Sequence, residues 1–459
     1  MKMPPLRLVS VAAVLSALLA DAARADTPLS GGNVVNQTWT PAGSPYVVRG
    51  DLTVPAGAFL TIEAGTVVHF EAGDAMGAGT DRARSEITVN GRLLVNGTAA
   101  SPVRFQARTG TAPQTWYGIV IGSGATAATL RHAVVEHAYV GLTSSIGGLE
   151  VRDTIVRTSY RGIHLLDGST TLCGVTISGC TDHAVIANGS VVIDGLTATG
   201  NGQSGVSAVG LIDGTVRITN SVIANNGGYG VYVGGSSGKR QNVEVVNDTI
   251  HNNRASGIAV GSDRGRTLSV RVQNSLVTQN MQSGVENILF DASNPAMISV
   301  TYSDVWGNKV QDYKYTTAGT GTLSTNPQYV AAPDDLHLSS TSLAIDAALA
   351  TDAPNHDRDG LVRPLDGLGL GLAKYDIGAY EFVAAGVDAG VSDACFEGDR
   401  PPPPDGAGSA DAALPADGSV ARADGGRSEL PDSGGTGSPG SGDGGTGGGG
   451  AGDTQGCGC

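Results

Sequence analysis

An apolar residue recurs in this chain at Val135, Val156, Ile177, Ala198, Ile223, Ile250, Val277 and Val305, at intervals of 21, 21, 21, 25, 27, 27 and 28 residues. A repeat that lengthens without losing phase marks a solenoid whose loops grow while its stacked units stay in register. Other columns keep the same phase. Five positions before each anchor stand Leu130, Val151, Leu172, Ile193, Ile218, Val245, Val272 and Val300. Six or seven positions after it comes a small residue, usually Gly, followed by Leu142, Ile163, Val185, Val206, Val231, Ile258 or Val285. Each repeat therefore offers about three short strands with inward branched side chains. None can bury its face alone, so the turns must stack.

Composition agrees with many short strands and few helices: 69 glycines among 459 residues, 15% charged residues and few aromatics. Two polar columns indicate how the coils stack. Asn201, Asn226, Asn253, Asn280 and Asn308 lie three after their anchors, and Asn220, Asn247 and Asn274 three before. Asn tolerates the left-handed backbone of a tight corner, and its amide can bond to the identical amide one coil away, ~4.8 Å distant.

On these residues the chain resembles a right-handed parallel β-helix of the pectate-lyase-like superfamily, with its asparagine ladder. The likeness extends upstream through "YVVRGDLTVPAGAFLTIEAGTVVHF" and "ITVNGRLLVNGTAASPVRFQA" to Trp116-Tyr117-Gly118-Ile119. The resemblance implies an all-β solenoid over residues 45–330, after a lead-in at 26–44. Residues 331–383 resemble the choice-of-anchor Q domain at Ala344-Ile345-Asp346, Asp357-Arg358-Asp359-Gly360, Arg363-Pro364 and Asp376-Ile377-Gly378-Ala379-Tyr380-Glu381, with Leu343 where that family commonly has proline. A solenoid needs its last coil covered, so a cap is the expectation here.

The two ends read differently. Residues 1–25 have the form of a secretory signal: Lys2 and Arg7, an apolar run from Leu8 to Ala20, then Ala23-Arg24-Ala25. Residues 384–459 are rich in Ala, Asp, Gly, Ser and Pro, a composition that cannot bury a core and makes a flexible linker. Their ending, "GDTQGCGC", resembles the cysteine signature of the myxobacterial carboxy-terminal sorting tail, without that family's apolar helix and arginine cluster, so Cys457 and Cys459 are candidate anchors. Within the folded region Cys173 and Cys180 could pair in an oxidising compartment or remain two buried thiols.

The formal net charge of −15 argues against a nucleic-acid partner. No stretch after the signal is apolar long enough to cross a bilayer. A fold of this kind hosts enzymes and non-enzymes alike. A hydrolase resembling polygalacturonases would carry Asn-Thr-Asp, Gly-His-Gly and Arg-Ile-Lys. This chain has Asn247-Asp248-Thr249 in the wrong order, Arg217-Ile218-Thr219 without lysine, and no Gly-His-Gly. Acid–base work on a sugar needs two carboxylates on one face. The outward column Thr143, His164, Ile186, Ser207, Tyr232, Ala259, Glu286 holds one.

Three further features read as structure. His132 and Asp153 should make a surface contact between coils, and Arg217, Glu244 and Arg271 a ladder of ion pairs. "DRDG" at Asp357 could help bind Ca²⁺, though an Asp-Gly turn salt-bridged to Arg363 accounts for it; no other cofactor is implied.

Binding remains. The loops that lengthen the repeat carry Lys239, Arg240, Arg264 and Arg266, with Tyr232 on a neighbouring strand. Together they would form a basic rim for an acidic glycan or another envelope component. The sequence therefore points to an exported, surface-tethered β-helix that binds or displays without catalysing. Its rival is a polysaccharide lyase or glycoside hydrolase, and the sequence leaves the oligomeric state open.

Overall fold

The computed structural model describes residues 25–210, 212–234, 239–262, 267–289, 296–387 and 389–390. The signal-like segment before Ala25, Arg264, Arg266, Cys457 and Cys459 lie outside them, as does nearly all of the 384–459 tail.

Three parallel sheets of 12, 12 and 11 strands run the length of the coils, and each strand pairs with the third strand onward in the chain. Sheet A holds the anchor strands, such as Val222–Ala224; sheet B the strands after the glycine, such as Val231–Gly234; sheet C those before the anchor, such as Arg240–Val246. The coils begin earlier than the sequence suggested: Thr27–Leu29, Gly32–Asn33 and Gln37–Trp39 already form one complete coil.

The three apolar columns are the core. Anchor pairs with anchor in register along sheet A, from Val135↔Val156 to Val277↔Val305. Every residue of the three columns is at most 1% exposed, and full burial of each such side chain is worth ~1.5 to ~3 kcal/mol. The glycine column has a steric origin. A Cβ at Gly141, Gly162, Gly205, Gly230, Gly257 or Gly284 would fall 2.3–2.6 Å from a methyl group of the next coil's anchor.

Two corners of each coil need left-handed backbone. One is filled by His132, Asp153, Asn220, Asn247, Asn274 and Tyr302, with φ between 45° and 56°. The other falls one residue before the Asn ladder, at Asn225 (58°), Asn252 (51°) and Gln279 (54°) among others. The ladder asparagines therefore follow the bend instead of making it. Each amide donates to the next through Nδ2: Asn201 to Asn226 at 3.0 Å, Asn226 to Asn253 at 3.0 Å, Asn253 to Asn280 at 3.1 Å and Asn280 to Asn308 at 2.9 Å. Asp312 ends the series by accepting from Asn308 Nδ2 at 2.8 Å.

Cys180 stands in the same column, and its N–H donates to Asn201 Oδ1 at 3.0 Å. This corrects the Cys173–Cys180 pairing. Cys180 is a free, buried thiol in a ladder position, and burial pushes it up to about 11. Cys173 ends a sheet C strand and is disulfide-bonded, but not to Cys180.

A second ladder was not anticipated. Backbone N–H groups of Ala133, Leu196, Ser221, Asp248 and Ser275 donate to the side chains of Thr154, Ser221, Asp248, Ser275 and Ser303 one coil on. Asp248 is fully buried and its Oδ2 has no partner among the described residues.

Residues 326–382 do not sit over the last coil; they lie along the outside of sheet A. Leu336 and Ala379 pack on Val222 and Ala224, while Leu338, Ala344 and Ile377 pack on Leu276. The corner asparagines are paired to the same segment, Asn247 Nδ2 with Asp376 O at 3.0 Å and Asn274 Nδ2 with Leu349 O at 2.8 Å. The last coil is met instead by 319–325, through Gly319 N to Val300 O and Leu323 N to Ser303 O.

Candidate functional site

The outer face of sheet B carries the column read from the sequence. Thr143, His164, Ile186, Ser207, Tyr232, Ala259 and Glu286 stand in register, with Val120 and Lys314 extending the row. Two carboxylates beside this column, Glu286 and Asp182, are already engaged. Glu286 is paired with Lys314 and accepts from Ser256 Oγ at 2.6 Å. Asp182 accepts from Arg161 Nε at 2.8 Å and lies 3.6 Å from His183 Nε2.

Beside this column runs a row that sequence reasoning missed. Trp116 bridges to Ala138, so the next residues, Tyr117 and Tyr139, fall one above the other, followed by Tyr160. The ring centroids are 5.6 and 4.9 Å apart and stacked. All three tyrosines are half-buried, and a stack of this kind offers a ligand its ring edges and hydroxyls more than its faces. Arg84 lies over Tyr139, 5.1 Å from its centroid, and Arg161 lies 5.8 Å from that of Tyr160. The signal was available in the spacing of 22 and 21 residues between the tyrosines, which matches the repeat.

His164 sits among these groups, and burial followed by the Arg161 charge lowers it to about 4. At neutral pH it is an uncharged imidazole able to accept a hydrogen bond. His183 is also lowered by burial, and its Nδ1 accepts from Ser204 N at 3.2 Å. The assembly is thus a polar strip of hydroxyls, two guanidinium groups and neutral imidazoles over several coils.

The basic rim is described only in part. Lys239 and Arg240 are exposed at the start of a sheet C strand, and neither forms an ion pair among the described residues; the Arg240 N–H donates to Asp213 Oδ1 at 2.6 Å. Tyr232 lies on sheet B, stacked on Tyr229 at 5.4 Å.

The structural readings of the other charges hold. Arg217 meets Glu244 at 2.6 Å, Glu244 meets Arg271 at 3.1 Å, and His132 lies 3.7 Å from Asp153. Arg363, however, pairs with Glu381 at 3.2 Å. Asp357 instead accepts from the backbone N–H groups of Asp359, Leu361 and Glu381.

Two family models match the chain: a "Right handed beta helix region" over residues 115–277 and a "Pectate-lyase like beta helix domain" over residues 32–188. The fold is a right-handed parallel β-helix of the pectate-lyase-like kind. Among solved structures, this β-helix is similar to the periplasmic alginate epimerase AlgG at 12% identity and a TM-score of 0.36, over 64% of this chain and 84% of that one. It is also similar to the A-module of the Azotobacter vinelandii mannuronan C-5 epimerase AlgE6, at 17% identity and a TM-score of 0.38, over 66% and 90%. No curated protein matches it. No helix of the described residues is long and apolar enough to cross a membrane.

Proposed function

We propose that this protein is an exported β-helix that binds an extended acidic polysaccharide along the outer face of sheet B. The observation that carries the reading is the stacked row Tyr117, Tyr139 and Tyr160 flanked by Arg84 and Arg161. A ligand that repeats along its length is matched by donors that repeat along the coils, and the guanidinium groups can turn from Asp81 and Asp182 toward its carboxylates. Lys239 and Arg240, exposed at the start of a sheet C strand, add positive potential to the coils. The signal-like start of the sequence supports export, and its cysteine-bearing tail supports surface tethering. The pairing of Asp182 and Glu286 with cations supports binding without cleavage.

Polysaccharide lysis or hydrolysis is the second reading, favoured by one observation: a neutral His164 beside Arg161. The test is calorimetry against a panel of acidic polysaccharides with the wild type and Tyr139→Phe/Tyr160→Phe, which keeps the stack and removes two hydroxyls. Affinity should fall at least ~5-fold, corresponding to about 1 kcal/mol, with the melting temperature unchanged. Equal affinities would remove the tyrosine row from the site. Chain shortening or unsaturated ends that disappear in His164→Ala would establish the enzyme instead.

A further inference from the structure

Two buried carboxylates near the amino-terminal end of the helix have no cation to face. Asp51 is 6% and Glu86 1% exposed, and among the described residues neither forms an ion pair. One oxygen of each is well used. Asp51 Oδ1 accepts from the Glu86 N–H at 3.1 Å, and Glu86 Oε1 accepts from Thr80 N and Thr80 Oγ1 at 2.9 Å and Thr88 Oγ1 at 2.8 Å. The other oxygen of each, Asp51 Oδ2 and Glu86 Oε2, is buried without a hydrogen-bond partner among the described residues.

Both carboxylates converge on one glycine. A Cβ placed at Gly79 would fall 2.6 Å from Asp51 Oδ2 and 2.8 Å from Glu86 Oε1. Neighbouring side chains offer no relief: Arg84 is taken by Asp81 and by Gln114 O. Burial first, then the charges of Asp74, Glu86 and Asp81, lift Asp51 to about 6. Two like charges placed together out of water are costly unless a proton or a cation stands between them.

We propose that Asp51 and Glu86 form a binding site for a divalent cation of the Ca²⁺ class, completed by oxygens of the glycine-rich 71–80 loop. The chemistry suits a hard cation, which takes carboxylate, carbonyl and hydroxyl oxygens in flexible geometry. Among the described residues no three His, Cys, Asp or Glu side chains form a metal-binding group. The ligands beyond the two carboxylates would therefore be backbone and hydroxyl oxygens of the loop, donors that suit a hard cation. The bound ion would fasten the loop between the strands Val67–Phe70 and Glu86–Val89 to the end of the solenoid.

The test uses the full-length secreted chain, stripped with chelator and titrated with CaCl₂ at pH 7.5. Calorimetry should show one ion per chain, and saturation should raise the melting temperature by ~3 °C or more, because a ligand that binds only the folded state stabilises it. Asp51→Asn/Glu86→Gln should lose both effects, while MgCl₂ should bind more weakly. Stripped wild type that gives no heat and melts at the same temperature with and without CaCl₂ overturns the site, whatever the variant does. A double variant that is more stable than wild type near pH 8, together with that silence, identifies a shared proton in the ion's place.

Discussion

At the scale of single residues, hydrogen-bond accounting along the ladders gives the sharpest expectations. Asn253 accepts from both N–H donors of Asn226 and donates to Ile223 O and Asn280 Oδ1. Asn253→Leu leaves those groups without partners in a dry interior, at ~1 to ~3 kcal/mol each before relaxation. Denaturant unfolding should show a loss of about 3 kcal/mol or more, far above that of an exposed substitution. An unchanged midpoint would mean the ladder contributes nothing. Asp248 occupies a place where neighbouring coils have Ser221, Ser275 and Ser303, and burial holds its carboxyl well above the usual carboxylate range. The folded state therefore binds a proton that the unfolded state releases above about pH 4, and stability declines as pH rises. Asp248→Ser supplies the acceptor its neighbours use, so it should gain about 1–2 kcal/mol at pH 7. That gain should vanish below pH 4 on thermal melts, where the carboxyl is neutral in both states.

The Asn ladder was legible because five identical amides kept one register. Cys180 lies three residues after Ile177 and thus in that same column, but a pair of cysteines seven apart invites a redox reading first. The Thr154, Ser221, Asp248, Ser275 and Ser303 ladder escaped notice because its chemistry changes from coil to coil while its hydrogen bond does not.

At the scale of elements, the C-terminal segment separates what sequence can and cannot reveal. Its existence as a covering element was readable, but its position was not. The clue lay on the other partner: outward sheet A residues are Thr176 and Ser178, then Thr197 and Thr199, but become Val222 and Ala224, and later Leu276. Those apolar positions need a cover, and 326–382 supplies it. Tyr329 packs edge-on against His251 at 5.3 Å, and its hydroxyl meets Thr278 Oγ1 at 2.9 Å. Tyr329→Phe should cost about 1 kcal/mol and Leu336→Ala about 2–4 kcal/mol. If the segment only rested on the helix, both would be silent in thermal melts.

The same segment carries a pH response. His337 lies between Asp335 at 2.6 Å and Asp359 at 2.8 Å, and the bond to Asp359, with that to Asp335, raises it to about 9 against the opposing effect of burial. A raised histidine adds stability that is complete below about pH 6.5 and lost as pH climbs through about 9. His337→Gln should therefore melt below wild type at pH 6 and with it at pH 10. A difference that is the same at both pH values would assign the histidine a packing role alone.

At the scale of the whole molecule, periodicity made the scaffold readable and left the site half hidden. Columns of like residues announce a core, whereas a site draws unlike residues from several columns and loops: Arg84 comes from a loop coils away from Arg161, and only the fold places both over the tyrosine row. The account's central claim is that the outer face of sheet B is where an extended acidic polysaccharide lies. Hydrogen–deuterium exchange of the intact protein with and without a saturating acidic polysaccharide addresses it directly. The account predicts slowed exchange in peptides spanning residues 117–121, 139–144 and 160–165, with sheet C strands such as 191–194 unchanged. Protection confined to sheet C, or none at saturation, would contradict it.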